Sequence, residues 1–219
     1  MTYDLAAAAR HLVAAEPRFA PLIERHGLPA LTPTRDPFAS LGRAIIYQQL
    51  AGAAAATIYR RFCALFGSAR FPRPARLATA SVDELRPAGL SRSKALALLD
   101  LAAHFRDGRV APRALLAADD AAVRAMLLPI RGIGPWSVDM FAMFGLCRPD
   151  VWPTGDLGVR QGLAHFLRLR APPEPARMER LAAPWRPYRS VAAWYMWRAV
   201  EDRRERDRGR GQTARGKRE

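Results

Sequence analysis

The chain has 219 residues, half of them hydrophobic, which is enough for one large domain or two small lobes with a real core. Its formal net charge of +15 favours a polyanionic partner, nucleic acid before an acidic membrane surface, although an arginine-rich protein from a GC-rich genome would show the same balance. Two cysteines are too few for a four-thiolate zinc or iron–sulfur site, and no apolar run approaches the ~20 residues of a membrane span.

From the N-terminus onward the hydrophobic residues recur at helical spacing. An alanine-rich stripe predicts a helix over residues 4–15, and this segment does not have the pattern of a signal peptide, so we expect a cytoplasmic protein with reduced thiols. Asp36 is the predicted N-cap of the next helix and Pro37 its first residue. The apolar pattern of that helix continues through Phe66 to a stop at Gly67.

Further helices are predicted in the middle of the chain. Ser81 and Glu84, three residues apart, form the pattern of a capping box. The segment PAGLS separates this helix from the next, which Gly108 ends. Another helix follows, with Asp119 or Asp120 as its N-cap.

The C-terminal third is also helical in pattern. Helices follow the GIG and PTGD segments, and the last one is predicted from about Arg189 to Arg206. No alternating pattern is convincing enough for a strand, so the sequence predicts an all-α protein. Residues 206–219 are basic and contain no apolar residue larger than Ala, which predicts a disordered tail.

A glycine-containing turn in LPIRGIGPWSVD, residues 128–139, separates two of the predicted helices. Gly132 and Gly134 permit backbone conformations and close approaches that a side chain would block, and Pro135 suits a first helical turn. The N–H groups from Ile133 to Ser137 are then expected to point outward and to bind a nucleic-acid phosphate without reading sequence. An ordinary turn between two helices would use the same residues.

Several segments, in order, resemble one family of DNA repair enzymes. LPxxGIGxW (128–136) is similar to the helix–hairpin–helix of base-excision DNA glycosylases, and RPDVWPTGDLGVRQGL (148–163) resembles the Pro and Asp part of the HhH-GPD signature. Three further segments resemble the 3-methyladenine DNA glycosylase II branch: RAIIYQQLAGAAAATIYRRF (43–62), GLSRSKALALLDLA (89–102) and WRPYRSVAAWYMWR (185–198). The resemblance covers roughly residues 36–200.

This resemblance implies a two-lobed, all-α fold with the active-site cleft between the lobes. One lobe is expected to span residues 36–150 and to carry the hairpin. The other is expected to join residues 1–35 to 151–205 and to carry the catalytic aspartate.

Asp156 is the predicted catalytic residue, because the family's aspartate falls on it. Breaking an N-glycosidic bond builds positive charge on the sugar, which a nearby carboxylate can stabilise. Asp156 begins the predicted helix DLGVRQGLAHFL, whose N-terminus favours the ionised form. Without the surrounding motifs, an ordinary N-cap would be the preferred explanation of Asp156.

Aromatic residues are predicted to bind the substrate base. Trp136 occupies the position where strand-cutting relatives carry a Schiff-base lysine, so the resemblance implies a monofunctional enzyme that leaves an abasic site. Trp136, Trp197 and Tyr47 are the predicted pocket walls, since an aromatic face attracts a base made cationic by alkylation. A place in the core would suit each of them as well. Met140 and Leu157 depart from relatives that have aromatic residues there.

The predicted DNA-binding residues lie in three segments. The resemblance places an intercalating wedge on Leu50, with Gln49 beside it, although a buried helical leucine fits the same pattern. Ser91, Ser93 and Lys94 in LSRSK are expected to contact a second phosphate. The hairpin contributes Gly132, Gly134 and Ser137.

No catalytic metal is predicted, because the four histidines have no ligand spacing. The resemblance implies at most a structural Na⁺ or K⁺ on the main-chain carbonyls of Leu128, Ile130 and Ile133, and no iron–sulfur cluster.

The sequence therefore predicts a monofunctional DNA glycosylase that flips and excises alkylated purines such as 3-methyladenine or 7-methylguanine. We expect a monomeric, nucleoid-associated bacterial protein that binds double-stranded DNA containing alkylated bases and no membrane. A non-catalytic helix–hairpin–helix DNA-binding protein is the alternative of another class, and a glycosylase for another damaged base is the alternative within the class.

Overall fold

Helices make up most of the structure, a computed structural model that describes residues 3–50 and 52–215, and no strand occurs in those ranges. This confirms the all-α prediction. The chain divides into a central unit, Pro33–Leu146, and a terminal unit, Met1–Thr32 with Cys147–Glu219. Among the described helices, none combines the length and the apolar character that a membrane crossing requires.

The helices follow one another with short connections. Their bounds are α1 Leu5–Ala15, α2 Phe19–His26, α3 Pro37–Tyr47, α4 Gly52–Leu65, α5 Pro74–Leu77, α6 Val82–Leu85, α7 Arg92–Arg106, α8 Pro112–Ala117, α9 Asp120–Leu127, α10 Pro135–Met140, α11 Leu157–Phe166, α12 Pro175–Ala182 and α13 Arg189–Arg215. A π-helical turn, Phe141–Gly145, continues α10.

Side-chain caps begin several of these helices, as the sequence predicted. The Asp36 carboxylate accepts the Ala39 N–H at 3.0 Å, and Ser81 and Glu84 form a complete capping box. Of the two candidates for α9, Asp119 is the N-cap, since its carboxylate accepts the Ala122 N–H at 2.8 Å. Each such bond satisfies a backbone donor that has no partner within its own helix.

The single helix predicted from Asp36 to Phe66 is wrong, because the chain breaks after Tyr47. Gln48 has extended backbone (ψ 133°), and Gln49 adopts a positive φ of 56°. Lys94 explains the break: its Nζ donates to the carbonyl oxygens of Ile46 and Gln48, each at 2.7 Å. The ammonium therefore satisfies carbonyls that a continuing helix would otherwise have used.

The core of the central unit surrounds α7, which contacts α3, α5 and α6. Its fully buried side chains include Leu98 and Leu101 of α7 and Leu41, Ile45 and Phe62 of the neighbouring helices. Burial of such apolar side chains contributes about 1.5–3 kcal/mol each relative to exposure. The core thus fixes α7 firmly within its unit.

Aromatic residues form the core of the terminal unit. The Phe19 ring lies 4.6 Å from that of Phe166 and 5.1 Å from that of Trp185, measured between centroids. Tyr195 joins them, and its hydroxyl donates to the Gly27 carbonyl at 2.8 Å. Burial raises the pKa of Tyr195 to about 12, so this phenol stays a hydrogen-bond donor across the physiological range.

Two glycines allow α11 and α13 to pack closely in the terminal unit. A Cβ built on Gly162 would lie 2.6 Å from the carbonyl carbon of Met196, and one on Gly158 would lie 2.7 Å from Cδ1 of Trp197. Real Cβ atoms essentially never come within 3.0 Å of such neighbours. The spacing of four residues places both glycines on one face of α11.

Helix α13 extends beyond the predicted end at Arg206 and reaches Arg215. The structure therefore differs from the predicted disordered tail over residues 206–215. Arg198–Glu201 at 2.8 Å and Arg203–Asp207 at 3.7 Å are ion pairs at helical spacing, which favour the helix, and arginine itself has good helix propensity. Residues 216–219, the last part of that prediction, lie outside the described residues.

Candidate active site and nucleic-acid interface

Asp156 is the N-cap of α11, as predicted. Its Oδ1 accepts the backbone N–H of Val159 at 2.7 Å and the indole Nε1–H of Trp197 at 2.9 Å. The carboxylate is half-buried and lies at the positive end of the helix. Donors from two helices, α11 and α13, thus hold one carboxylate oxygen of Asp156 in place, so its negative charge has a defined position.

Trp197 reaches Asp156 only because residue 158 is a glycine. A Cβ at that position would come within 2.9 Å of the indole nitrogen and 3.1 Å of the Asp156 Oδ1. The sequence predicted Trp197 as a pocket wall but gave no sign of this bond, because 41 residues separate the two partners.

The segment that leads into Asp156 is held by an ion-pair network. The guanidinium of Arg189, which is buried, donates to Asp150 through Nε at 2.7 Å and to Glu179 through Nη1 at 2.7 Å. The Ser190 hydroxyl donates to the Arg148 carbonyl at 2.7 Å and accepts the Val151 N–H at 2.9 Å. The start of α13 therefore anchors the loop before the PTGD segment, an arrangement that sequence reasoning missed.

The predicted hairpin is present in the central unit between α9 and α10. Gly132 has a positive φ of 77°, and a Cβ on it would lie 2.8 Å from that of Ala97 in α7. The turn is also tied to α7 by Asp100, whose carboxylate accepts the Arg131 N–H at 2.7 Å. Glycine at 132 is required both by the backbone and by this close approach.

The hairpin differs from the prediction at Ile133, while the DNA contacts predicted for Gly134 and Ser137 stay predictions. The Ile133 N–H does not point outward, since it donates to the Ile130 carbonyl at 3.1 Å. Gly134 has ordinary backbone (φ −101°), and no described residue outside its own chain neighbours has an atom within 4 Å of the place its Cβ would take. Ser137 is buried, and its hydroxyl accepts a hydrogen bond from Gln48.

Gln48 links the loop after α3 to the hairpin. Its side-chain Nε2 donates to the Gly132 carbonyl and to the Ser137 Oγ, both at 3.1 Å. Sequence reasoning singled out Gln49 and passed over Gln48. The signal available was the pair of adjacent glutamines in YQQLAG, of which only one can face the protein.

The wedge candidates lie in the same loop. Leu50 is 38% exposed, so the alternative of a buried leucine is wrong, and Gln49 beside it is exposed. Tyr47 is half-buried, with the Arg43 guanidinium 4.9 Å from its ring centroid. Trp136, in the first turn of α10, is 42% exposed, which excludes a core position for it.

Of the residues predicted to contact a second phosphate, Ser91 and Ser93 are exposed. The Lys94 ammonium is used by the protein itself, in the two bonds to carbonyls of the loop after α3, so its predicted phosphate contact is not supported. Burial lowers the pKa of Lys94. The neighbouring Ser91 caps α7 by accepting the Lys94 N–H at 3.2 Å.

The carbonyls predicted to hold a monovalent cation belong to the hairpin turn. The Ile130 oxygen accepts the Ile133 N–H, and a carbonyl has a second lone pair available. Leu128, Ile130 and Ile133 thus offer neutral oxygen donors, which are chemically compatible with Na⁺ or K⁺. Within the described residues, no group of three or more His, Cys, Asp or Glu side chains is arranged to hold a metal ion.

A helical hairpin with a Gly-x-Gly turn, together with an aspartate that caps a following helix, defines a class of DNA-repair fold. The family model of the HhH-GPD superfamily of base excision DNA repair proteins matches residues 43–187. The chain therefore belongs to the HhH-GPD superfamily.

Relatives within that superfamily are 3-methyladenine glycosylases. A putative DNA-3-methyladenine glycosylase of Bacillus subtilis is 32% identical over 73% of this chain, which spans 57% of that relative. The crystal structure of a DNA-3-methyladenine glycosidase from Bacillus halodurans superposes with a TM-score of 0.75 at 34% identity, over 88% of both chains. The Schizosaccharomyces pombe 3-methyladenine DNA glycosylase, in complex with abasic DNA, gives 0.76 at 29% identity, over 87% of this chain and 95% of that one.

Proposed function

We propose that this protein is a monofunctional DNA glycosylase that flips alkylated purines out of duplex DNA and releases them by hydrolysis of the N-glycosidic bond. The observation that carries the proposal is the Asp156 carboxylate, aimed by the Val159 N–H and the Trp197 indole at the N-terminus of α11. The names of its relatives support the choice of alkylated bases.

The chemistry requires a negative charge beside the sugar. As the bond to the base lengthens, the deoxyribose acquires oxocarbenium character, which a fixed carboxylate stabilises. Alkylation at N3 of adenine or N7 of guanine already makes the base a cationic leaving group. Asp156 then has only to stabilise the sugar cation and to help a water molecule attack it.

Monofunctional chemistry follows from the residue at position 136. A glycosylase that also cuts the strand needs an amine to attack the sugar and form a Schiff base, and tryptophan has none. Its exposed indole can instead stack on a cationic base, with Tyr47 and Trp197 as further candidate walls. In this proposal Leu50 fills the space that the flipped nucleotide leaves.

Base release from methylated duplex DNA, with the freed bases identified by mass spectrometry, tests the proposal. Asp156→Asn keeps an oxygen that can accept the Val159 and Trp197 bonds but removes the charge, so release should fall on the order of 10²- to 10³-fold while lesion binding persists. Asp36→Asn, the same change at the N-cap of α3, is the matched control and should release bases at the wild-type rate.

The alternatives give different results in this assay. A non-catalytic DNA-binding protein would release no base from any substrate, and a glycosylase for another lesion would release a base that methylation did not create. Near wild-type release by Asp156→Asn would show that the catalytic assignment is wrong. A covalent adduct trapped by borohydride would refute the monofunctional mechanism, because Trp136 cannot form one.

Three further features complete the proposal. A structural Na⁺ or K⁺ on the carbonyls of Leu128, Ile130 and Ile133 would stiffen the hairpin turn without taking part in the chemistry. The working form is a monomer, and it acts in the cytoplasm on DNA of the nucleoid.

A further inference from the structure

A cavity in the terminal unit belongs to none of the predicted site residues. It has a volume of about 980 Å³ and lies among the C-terminal end of α11, the loop that follows α11 and the stretch of α13 around residues 199–207. Six arginines line it: Arg18, Arg168, Arg170, Arg203, Arg204 and Arg206. A neighbouring cavity that shares the loop after α11 has three arginines in its lining, Arg168, Arg170 and Arg177.

The two acidic residues of this cavity do not balance its arginines. Asp202 is buried, and its carboxylate already pairs with two residues that do not line the cavity, Arg25 through Nε at 3.0 Å and His26 through Nε2 at 3.1 Å. Asp207 lies 3.7 Å from the Arg203 guanidinium, an exposed pair of small energetic weight. The cavity therefore keeps a strong excess of positive charge.

Three of the lining arginines have neither an acidic nor a histidine partner within the described residues. These are Arg168, Arg170 and Arg204, all of them exposed to solvent. Arg168 has a positive φ of 56°, which is uncommon for a side chain of its size and turns the loop after α11 at the cavity wall. Their guanidinium groups are therefore available to an external anion.

The surroundings of His165 show the same excess of positive charge. Its Nε2 lies 2.9 Å from Nη2 of Arg206, and since a guanidinium can only donate, the imidazole nitrogen is the acceptor and the ring is neutral. Burial lowers the pKa of His165, and the nearby Arg206 and Arg203 lower it further. The protein thus places an acceptor, rather than an acid, beside one of these arginines.

We propose that this arginine-lined cavity is a second phosphate-binding site, which holds the backbone of duplex DNA without reading its sequence. Guanidinium groups bind phosphate oxygens through paired, charge-assisted hydrogen bonds. The six arginines come from the residue before α2, the loop after α11 and helix α13, and they exceed what one small anion needs but suit a backbone that presents a row of phosphates. Contacts to phosphate oxygens carry no sequence information directly, because every nucleotide presents the same phosphate group.

This inference goes beyond the proposed function, because it requires only undamaged DNA. The test compares two triple variants that remove the same charge. One replaces Arg168, Arg170 and Arg204 with Gln; the control replaces Arg61, Arg113 and Arg180, which are exposed and lie outside the cavity. Binding to an undamaged duplex is measured by fluorescence anisotropy across a salt series, after circular dichroism confirms that both variants are folded.

The cavity variant should have a shallower dependence of log affinity on log salt, by ~2.7 for three lost phosphate contacts. The ratio of wild-type to variant affinity should then be about 40-fold larger at 50 mM salt than at 200 mM. The control variant should keep the wild-type slope. If both variants lose slope equally, bulk charge explains the binding and the proposal is wrong.

A second readout locates the binding. The imidazole proton resonances of His165, assigned by comparison with His165→Gln, should shift when undamaged duplex is added to the wild-type protein and should not shift in the cavity variant. Inorganic phosphate at matched ionic strength should produce no comparable shift. A shift with inorganic phosphate, combined with an unchanged salt slope, would identify a site for a small anion and overturn the DNA proposal. Since no alkylated base is used, neither result depends on whether Asp156 releases one.

Discussion

Replacing Gly162 with Ala should force apart the two helices that bring Trp197 to Asp156. The added Cβ would lie 2.6 Å from the Met196 carbonyl carbon, where ordinary contact begins at 3.4 Å. The obstacle is backbone within α13, which cannot rotate away as a side chain would. The helices must therefore separate by about 0.8 Å or more at this crossing.

The magnitude follows from two opposed effects. Alanine in place of glycine in the middle of a helix stabilises that helix by about 0.5–1 kcal/mol. Overpacking of a tightly packed contact costs about 1–3 kcal/mol, and here the neighbouring buried side chains lose packing as well. We expect a net loss of about 1–2 kcal/mol, which corresponds to a fall in Tm of roughly 2–8 °C for a chain of this size.

Thermal unfolding followed by circular dichroism measures this loss, and single-turnover base release measures its effect on the site. Gly52→Ala is the matched control, because among the described residues no atom outside its own stretch of α4 and its chain neighbours lies within 4 Å of the place its Cβ would take. That variant should have a Tm equal to or above that of the wild type. If Gly162→Ala also melts at or above the wild-type temperature, the close approach of α11 and α13 does not constrain the terminal unit.

Three further changes probe single contacts. Trp197→Phe removes the indole N–H that donates to the Asp156 carboxylate. Single-turnover base release should then fall about tenfold, the effect of ~1.4 kcal/mol, while lesion affinity changes little. An unchanged rate would show that this bond does not position the carboxylate. Lys94→Met leaves the Ile46 and Gln48 carbonyls without their donor, so the free energy of unfolding in urea should fall by about 1–3 kcal/mol. Lys94→Arg should restore part of this loss. A urea midpoint equal to that of the wild type would contradict the structural role of Lys94. The pKa of His165 is lowered in the folded protein, so the unfolded chain binds the proton more tightly. The contribution of His165 to the free energy of unfolding should therefore be fully present above pH ~6.5 and should decline as the pH falls toward the lowered pKa. The loss of Tm between pH 7.5 and 5.5 should be smaller in His165→Gln than in the wild type.

Local features of this chain were predictable from sequence because each depends on a few neighbouring residues. The caps at Asp36, Ser81 and Asp156 follow from short polar side chains placed before an apolar periodic run. The hairpin follows from the Gly-x-Gly-Pro pattern, and the structure bears out the positive φ expected of Gly132. The all-α fold follows in turn, since helical periodicity extends over nearly the whole sequence.

Contacts between distant residues were not predictable, and these contacts redirect several candidate residues. A lysine at a helix start looks like a phosphate ligand until the chain brings two carbonyls to it, as happens to Lys94. The break after Tyr47 has the same origin, because nothing in the adjacent residues ends α3 there. Helix α2 was not distinguished either, because Pro17 and Pro21 interrupt its sequence pattern.

Two side chains of α7 account for the geometry of the central unit's DNA-binding candidates. Lys94 holds the loop that carries Leu50, and Asp100 accepts the backbone N–H of Arg131 in the hairpin. These two side chains are six residues apart on one helix, ~9 Å along its axis, so the distance between their attachment points is fixed by the helix rather than by either loop. Gln48 closes the arrangement by bonding the loop directly to the Gly132 carbonyl. If Leu50 is the wedge and the hairpin binds phosphate, as proposed, their attachment to one rigid helix makes them move together, which simultaneous insertion into the base stack and binding of the backbone require.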